Sequence, residues 1–328
     1  MKKASNLFAT VCASIMTLMT SHADIHAAAA SAKKLTLAYS SLGSLQTAMW
    51  MAKETKVYEK DGLEADLIYI SSGPTVIQAL LGNDLQAGLA ATNALIAAAG
   101  RGAPLVGVLT TSNVPYHKLY VQPDIKRVED LRGKTLGVTR FGSLSDNLTR
   151  IYLRKNGLEN AVSVRQMGGV REVFAAFEQR AIQGAVQGEM RVAANTPVHV
   201  LARLEDMGIK LSMDVLAASR DWLQRNPQTV DGMIRAYVEG VSVLNNQKDL
   251  ARKIISKYVR MTDPSQLDAF YQNAIAYTAR VPRIDPESVQ NHPEFSAQKN
   301  LKFEQVADNS TIDRLIQEGF VDRLYKKP

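Results

Sequence analysis

Cysteine is almost missing from this chain of 328 residues. Its one cysteine, Cys12, lies inside an apolar amino-terminal segment, so the remainder of the chain can form no disulfide and offers no thiolate to a metal or a substrate. The Thr10-Val11 pair before Cys12 is unlike the Leu-Ala-Gly type of sequence that marks a lipid-modified cysteine. A chain free of cysteine suits an oxidising compartment, where a stray thiol is a liability.

Long hydrophobic runs are also scarce. The segment from Leu7 to Met19 is apolar, but polar residues interrupt it and it falls short of the roughly 20 apolar residues that span a bilayer. Met1-Lys2-Lys3 precedes this segment, and small residues from Ala27 to Ala30 follow it, which is the layout of a secretory signal peptide. We therefore predict that residues 1–30 are a cleaved signal peptide and that roughly 300 residues form a periplasmic product, enough for two domains.

Concentrated charge and recognisable catalytic motifs are missing as well. The chain has 39 Lys and Arg residues against 32 Asp and Glu, and its basic residues are scattered, which is typical of a solvated surface and not of a nucleic-acid site. His117, His199 and His292 are isolated, without metal-ligand spacing. No Gly-x-Ser-x-Gly nucleophile elbow is present. We expect no enzyme, no metal, no cofactor and no nucleic-acid partner.

Short apolar runs alternate with longer amphipathic segments along the chain, which predicts an α/β fold of βαβ units with mostly parallel sheets flanked by helices. The predicted strands are Leu35–Tyr39, Leu63–Ile70, Ala87–Ala90, Leu105–Leu109, Leu119–Val121, Thr135–Val138, Val162–Gln166, Gly184–Gln187 and Val215–Ala218. The predicted helices are Leu45–Tyr58, Thr75–Leu81, Asn93–Ala99, Leu144–Lys155 and Val170–Gln179, and Asn226-Pro227 opens another.

This alternation falls into two series, which predicts two lobes. We expect the first part of lobe 1 at residues 31–112, lobe 2 at 113–212, and a return to lobe 1 with carboxy-terminal helices at 213–328. An internal echo supports the division, because residues 37–46 and 136–145 share their hydrophobic pattern and a Gly-Ser-Leu in register. Each copy predicts a strand, a turn and a helix start, so two similar loops would face a common cleft that closes by hinge motion.

The loops that follow the predicted strands supply candidate ligand contacts. Helix amino termini offer unpaired N–H groups and partial positive charge, and Ser, Thr and Gly let a ligand approach closely. The candidates on these grounds are Ser72, Gly73, Thr92, Asn93, Arg140, Phe141, Gly142, Ser143, Ser145 and Gly169. Arg140 could bind a sulfonate or carboxylate through two parallel hydrogen bonds. Ordinary helix caps and tight turns explain the hydroxyls and glycines nearly as well.

Three segments resemble a known family. Residues 56–65, residues 71–85 and, most specifically, residues 130–138 are similar in order and spacing to periplasmic substrate-binding proteins of the nitrate, taurine and alkanesulfonate type, the SsuA/THI5-like group. The resemblance covers nearly all of the chain after residue 30. It implies a two-lobed periplasmic-binding-protein fold of type II, a monomer, and an ABC transporter permease in the inner membrane as partner.

The resemblance also implies a ligand and its contacts. The first-loop contacts of the family correspond here to Ser40, Ser41, Gly43, Ser44 and Gln46, and the ligand would be a small organic anion: a sulfonate, nitrate or carboxylate. The segment 183–190 departs from the family pattern, because it lacks an aspartate and an adjacent proline. A neutral pyrimidine of the thiamine-precursor kind is the alternative ligand, with an acidic partner such as Glu189. A pyrimidine-synthesis enzyme and a receptor-coupled sensor are the alternative functions.

Overall fold

Two five-stranded sheets organise residues 32–193 and 195–325, the part of the chain that the computed structural model describes. The predicted signal peptide lies outside these residues. The first sheet has the order β2-β1-β3-β10-β4 and contains β1 (Lys33–Tyr39), β2 (Leu63–Tyr69), β3 (Ala87–Ala91), β4 (Leu105–Thr110) and β10 (Asp214–Ser219). The second has the order β7-β6-β8-β5-β9 and contains β5 (Lys118–Val121), β6 (Thr135–Val138), β7 (Ser163–Gln166), β8 (Gly184–Gln187) and β9 (His199–Arg203).

One strand in each sheet runs against the others. β10 is antiparallel to β3 and β4, and β5 is antiparallel to β8 and β9, while β1 pairs in parallel with β2 and β3 and β6 pairs in parallel with β7 and β8. The predicted α/β fold with mostly parallel sheets is confirmed. The chain passes from the first sheet to the second between β4 and β5, and it returns between β9 and β10. The sequence pattern does not predict β9, a partly exposed strand at the edge of its sheet.

Helices cover both sheets. They are α1 (Thr47–Glu54), α2 (Gly73–Leu81), α3 (Thr92–Ala99), α4 (Leu144–Lys155), α5 (Val170–Glu178), α6 (Arg220–Arg225), α7 (Pro227–Asn246), α8 (Lys248–Val259), α9 (Pro264–Tyr277), α10 (Pro286–Gln290), α11 (Pro293–Ser296), α12 (Ser310–Gln317) and α13 (Phe320–Tyr325). Among the described residues, no helix combines the length and apolarity needed to cross a membrane. We call the first sheet with α1–α3 and α6–α13 lobe 1, and the second sheet with α4 and α5 lobe 2.

The predicted single helix over residues 45–58 is wrong. The structure has a 3-10 turn at Ser44–Gln46, then α1, then a second 3-10 turn at Val57–Asp61. Lys56 separates the last two elements because its φ of 58° lies in the left-handed region, which an α-helix cannot accommodate.

Each lobe has its own apolar core. Helix α1 packs on α7 in lobe 1, where Trp50 and Tyr237 are fully buried. Gly240 permits this close approach, because a Cβ at that position would overlap the carbonyl oxygen of Ala48. Lobe 2 buries separate clusters around residues such as Leu136 and Phe177. The two cores meet at the cleft, where Leu45 of lobe 1 packs into the lobe 2 cluster and Leu144 of lobe 2 contacts clusters of both lobes.

Candidate functional site

A cavity of about 60 Å³ lies where the loops of the two lobes meet. Its lobe 1 lining consists of Ser40, Ser41, Gly43, Leu45, Gln46, Ser72, Gly73, Ala91 and Asp214. Its other lining residues are Tyr116 and His117, from the segment that crosses between the lobes, and Thr139, Ser143, Leu144, Ser145, Val170 and Gln187 from lobe 2. Most of these residues follow the carboxyl ends of strands, where open α/β sheets bind ligands. We call this space the inner cavity.

Eight of the residues proposed as ligand contacts from sequence line the inner cavity: Ser40, Ser41, Gly43, Gln46, Ser72, Gly73, Ser143 and Ser145. The two copies of the Gly-Ser-Leu echo lie on opposite sides of it, because Leu45 comes from the first copy and Leu144 from the second. Ser143 also caps α4, accepting a hydrogen bond from the Asp146 amide at 3.3 Å. The structure thus brings these residues together, and their contact with a ligand stays a prediction.

Three further candidates are buried next to the cavity without lining it. The Ser44 hydroxyl donates a hydrogen bond to the Tyr116 hydroxyl at 3.2 Å. Thr92 hydrogen bonds to the Ser212 hydroxyl at 3.0 Å, and Asn93 Nδ2 donates to the Gly142 carbonyl at 2.9 Å. None of these three side chains caps its helix: the N-cap positions are held by Gly43 and Ala91.

The remaining candidates in lobe 2 lie at the surface or at a turn. Arg140 and Phe141 are exposed and are not among the residues that line the inner cavity. Phe141 is instead covered from one side by the Arg150 guanidinium, 5.6 Å from the ring centre. Gly169 precedes α5, where a Cβ would come within 2.8 Å of the Ser71 hydroxyl oxygen, so close packing explains this glycine without a ligand.

Asp214 is the charged residue of the inner cavity that the sequence pattern does not reveal. It opens β10, and because β10 is antiparallel to its neighbours, its first residue lies at the edge where β3 ends. Gln46 Nε2 donates a hydrogen bond to Asp214 Oδ2 at 2.9 Å. Burial raises the pKa of Asp214 to about 6, and the Gln46 hydrogen bond opposes part of that rise. Asp214 remains largely a carboxylate at pH 7.

Four other lining residues with polar side chains were not expected from sequence: Tyr116, His117, Thr139 and Gln187. Tyr116 and His117 lie in the crossing segment before β5, and Gln187 ends β8. Burial lowers the pKa of His117 to about 3, so its imidazole is neutral. Recognising them would have required knowing which segment passes between the lobes.

Several buried polar atoms around the inner cavity have no hydrogen-bond partner within the described part of the chain. They are Gln46 Oε1, Ser72 Oγ, His117 Nδ1 and Gln187 Nε2. Buried polar atoms are normally paired, so four unpaired atoms on residues that line one cavity favour a polar ligand there. Among the described residues, the cavity lining contains the carboxylate of Asp214 and no lysine or arginine.

Glu189 does not line the inner cavity. It lines a neighbouring space together with Ser41, Gly43 and Gln187, which line both. Burial raises the pKa of Glu189, and hydrogen bonds from Ser44 and Asn273 and the charge of Arg191 oppose that rise. Its Oε1 atom has no hydrogen-bond partner within the described residues.

Direct hydrogen bonds hold the two lobes together around the cavity. Asn147 Nδ2 of α4 lies 2.8 Å from both carboxylate oxygens of Glu294 in α11. Asn93 bonds across to Gly142, and the Ser71 hydroxyl donates to the Gly168 carbonyl at 3.4 Å. The described residues contain no group of three His, Cys, Asp or Glu side chains that could hold a metal ion. The site is therefore a cavity between two lobes that are hydrogen-bonded to each other.

Comparison with known proteins shows which family has this architecture. Residues 45–251 match the family model described as NMT1/THI5 like. The chain belongs to the NMT1/THI5-like family. This membership confirms the resemblance to SsuA/THI5-like proteins that the sequence segments indicate. A binding protein of Brucella abortus (strain 2308) is 26% identical to the chain over 236 residues, which cover 70% of this chain and 72% of the relative.

Solved structures share the NMT1/THI5-like fold. The alkanesulfonate-binding protein SsuA from Xanthomonas axonopodis pv. citri, bound to MOPS, aligns with a TM-score of 0.65 at 17% identity, covering 91% of this chain and 96% of that protein. The periplasmic nitrate-binding protein NrtA from Synechocystis PCC 6803 aligns with a TM-score of 0.68 at 13% identity, covering 90% and 92%. The predicted two-lobed periplasmic-binding-protein fold is confirmed.

Proposed function

We propose that this chain is the solute-binding component of an ABC importer, which captures a small ligand between its lobes and delivers it to a membrane permease. The observation that carries the proposal is the inner cavity, which both lobes line and which four unpaired buried polar atoms surround. The names of the alkanesulfonate-binding and nitrate-binding proteins of the same fold support it. A cleaved signal peptide at residues 1–30, a periplasmic location and a monomeric state belong to the same proposal.

Closure of the lobes on the ligand is the mechanism that fits this arrangement. Residues 111–117 and 204–213 are the two crossings between the sheets, and they would act as the hinge. Asn93 and Asn147 then form their hydrogen bonds across the cleft in the closed form. A ligand that binds the closed form better than the open one shifts the protein towards closure.

The chemistry of the inner cavity favours a ligand that donates hydrogen bonds. The carboxylate of Asp214 and Gln46 Oε1 offer acceptor positions, and Gln187 Nε2 offers a donor. A sulfonate or nitrate about 4 Å from Asp214 would be repelled by about 4 kcal/mol at the effective dielectric constant of a protein site, with no lining cation to offset it. We therefore favour a neutral or cationic N–H-bearing head, such as a pyrimidine or an amidine, over the small organic anion expected from sequence.

A thermal-shift screen of the chain from residue 31 onward tests this function. One arm contains cytosine, 2-aminopyrimidine and acetamidine, and the other contains methanesulfonate, taurine, nitrate and acetate. A ligand at about 100 times its Kd adds about 2.7 kcal/mol to the free energy of unfolding. We expect shifts in the first arm that Asp214→Asn abolishes and that Asp231→Asn, a carboxylate in an ion-pair cluster on α7, retains.

If only the anions shift the melting temperature, the proposed ligand preference is wrong, but the proposal of a binding protein still stands. Each compound that shifts the melting temperature is then recovered and its mass measured. A recovered compound of altered mass would identify an enzyme, and the binding-protein proposal would fall.

A further inference from the structure

Two more chambers lie near the inner cavity and share lining residues with it or with each other. A middle chamber of about 40 Å³ shares Ser41, Gly43 and Gln187 with the inner cavity and adds Glu189 and Arg191. An outer chamber of about 230 Å³ shares Glu189 and Arg191 with the middle one. The middle chamber therefore lies between the inner cavity, which contains Asp214, and the outer chamber, which residues of β5 and α9 line.

Their sizes decide how much of a ligand each could hold. A water-sized group occupies about 10–15 Å³ of such volume, so the inner cavity has room for roughly four to six groups of that size. That is enough for a guanidinium or one small ring. The outer chamber is nearly four times larger, at about 230 Å³ against about 60 Å³. A ligand confined to the inner cavity would leave most of the enclosed space unused.

The outer chamber also differs in its chemistry. It is lined by two cations, Lys118 and Arg191, against one carboxylate, Glu189. Neither cation forms a salt bridge with any residue in the described part of the chain, although Arg191 lies 5.7 Å from the ring centre of Phe174. Met190, Met261 and Phe270 add apolar surface. The positive charge that the inner cavity lacks is thus found in the chambers beyond it, with Arg191 in both and Lys118 in the outer one.

The junction between the chambers carries an independent sign of a ligand. Glu189 Oε1 is buried and has no hydrogen-bond partner in the described residues. Glu189 lines both the middle and the outer chamber, so this carboxylate lies at the point where they meet. A polar group in the middle of an extended ligand would give Oε1 its missing partner.

We infer that the site binds an elongated ligand in two parts: a hydrogen-bond-donating head next to Asp214, and a short, mostly apolar chain that carries one polar group beside Glu189 and ends in a carboxylate, sulfonate or phosphate between Lys118 and Arg191. This inference rests on the proposed binding function and on its donor-head preference. The organic anion that the sequence predicts as the ligand would then be one end of a longer ligand, and it would bind in the outer chamber.

Matched probes test the inference by isothermal titration. One series consists of ω-guanidinoalkanoates with three to seven methylene groups, and the other of n-alkylguanidines with the same number of methylene groups. At the best length we expect the carboxylate to lower Kd at least tenfold. Lys118→Met and Arg191→Met should each remove most of this gain, because each raises the Kd of the carboxylate far more than that of the alkylguanidine. Arg140→Met, which removes an exposed arginine outside the chambers, should keep the gain.

The outcomes separate the two proposals. Alkylguanidines that bind without any gain from a carboxylate, at every length, would overturn the two-part site and leave the donor-head preference standing. A gain that survives both substitutions would also overturn it, because the anion would then lie elsewhere. If neither series binds while the anions of the thermal-shift screen do, both the donor-head preference and the two-part site are wrong.

Discussion

Replacement of Asp214 by Asn should make the ligand-free protein more stable at neutral pH while it abolishes binding. Burial raises the pKa of Asp214 from its ordinary 3.8 to about 6, so the folded state holds this proton more tightly than the unfolded state. The contribution of Asp214 to the free energy of unfolding therefore falls as pH rises from about 4 to 6, and it stays lower above that range. A shift of about two pKa units corresponds to at most about 3 kcal/mol at pH 7.

Asn suits the position because its side-chain oxygen can still accept the hydrogen bond from Gln46 Nε2. The assay is urea unfolding of wild type and variant from pH 4 to pH 8. The difference between their free energies of unfolding is plotted against pH, because the titrating groups that the two proteins share contribute equally to both. We expect the variant's advantage to grow from near zero at pH 4 to its full size above pH 6.

Asp231→Asn is the control of opposite sign. Burial alone would raise the pKa of Asp231, but hydrogen bonds from Arg235 and Arg314 lower it below its ordinary value. Its removal should therefore destabilise the protein at pH 7, by about 1 kcal/mol because these ion pairs are partly exposed. An Asp214→Asn variant that is less stable than wild type at pH 7, or whose advantage does not change with pH, would refute the reasoning.

Two further predictions concern closure and packing. Asn147→Ala removes the contact with Glu294 across the cleft. It should raise the ligand Kd, measured by titration, by up to about tenfold, with little change in the melting temperature measured by thermal shift. An unchanged Kd would show that this contact does not support closure. Gly188→Ala places a Cβ 2.6 Å from Tyr116 Cζ. It should lower the free energy of unfolding in urea by about 1–3 kcal/mol and should also weaken ligand binding. A variant of normal stability would mean that Tyr116 can move aside.

The sequence predicts much of the fold because local pattern and chain order decide it. Apolar strands alternate with amphipathic helices, and the repeated Gly-Ser-Leu turn correctly places residues of two loops, such as Leu45 and Leu144, on one cavity. The continuous helix expected over residues 45–58 fails because no residue pattern marks Lys56 as left-handed. Lysine rarely adopts that conformation, so only the surrounding packing can impose it.

The charged residues of the site depend on topology that a pattern cannot show. Asp214 precedes a predicted strand, and only the antiparallel direction of β10 brings it to the cavity edge. Arg140 follows a strand at the expected edge, yet it is exposed. Lys118 and Arg191 come from segments far apart in the chain and line one chamber because β5 and β8 are neighbours. The sign of charge at each end of the site is therefore a property of the fold.

The most direct test of the central claim is an isothermal titration of the strongest binder from the screen into wild-type protein and Asp214→Asn, followed by mass analysis of the recovered ligand. We predict one ligand per chain, at least tenfold weaker binding to the variant, and a ligand of unchanged mass. Equal affinity for both proteins would place the ligand outside the inner cavity, and a chemically altered ligand would contradict a binding protein.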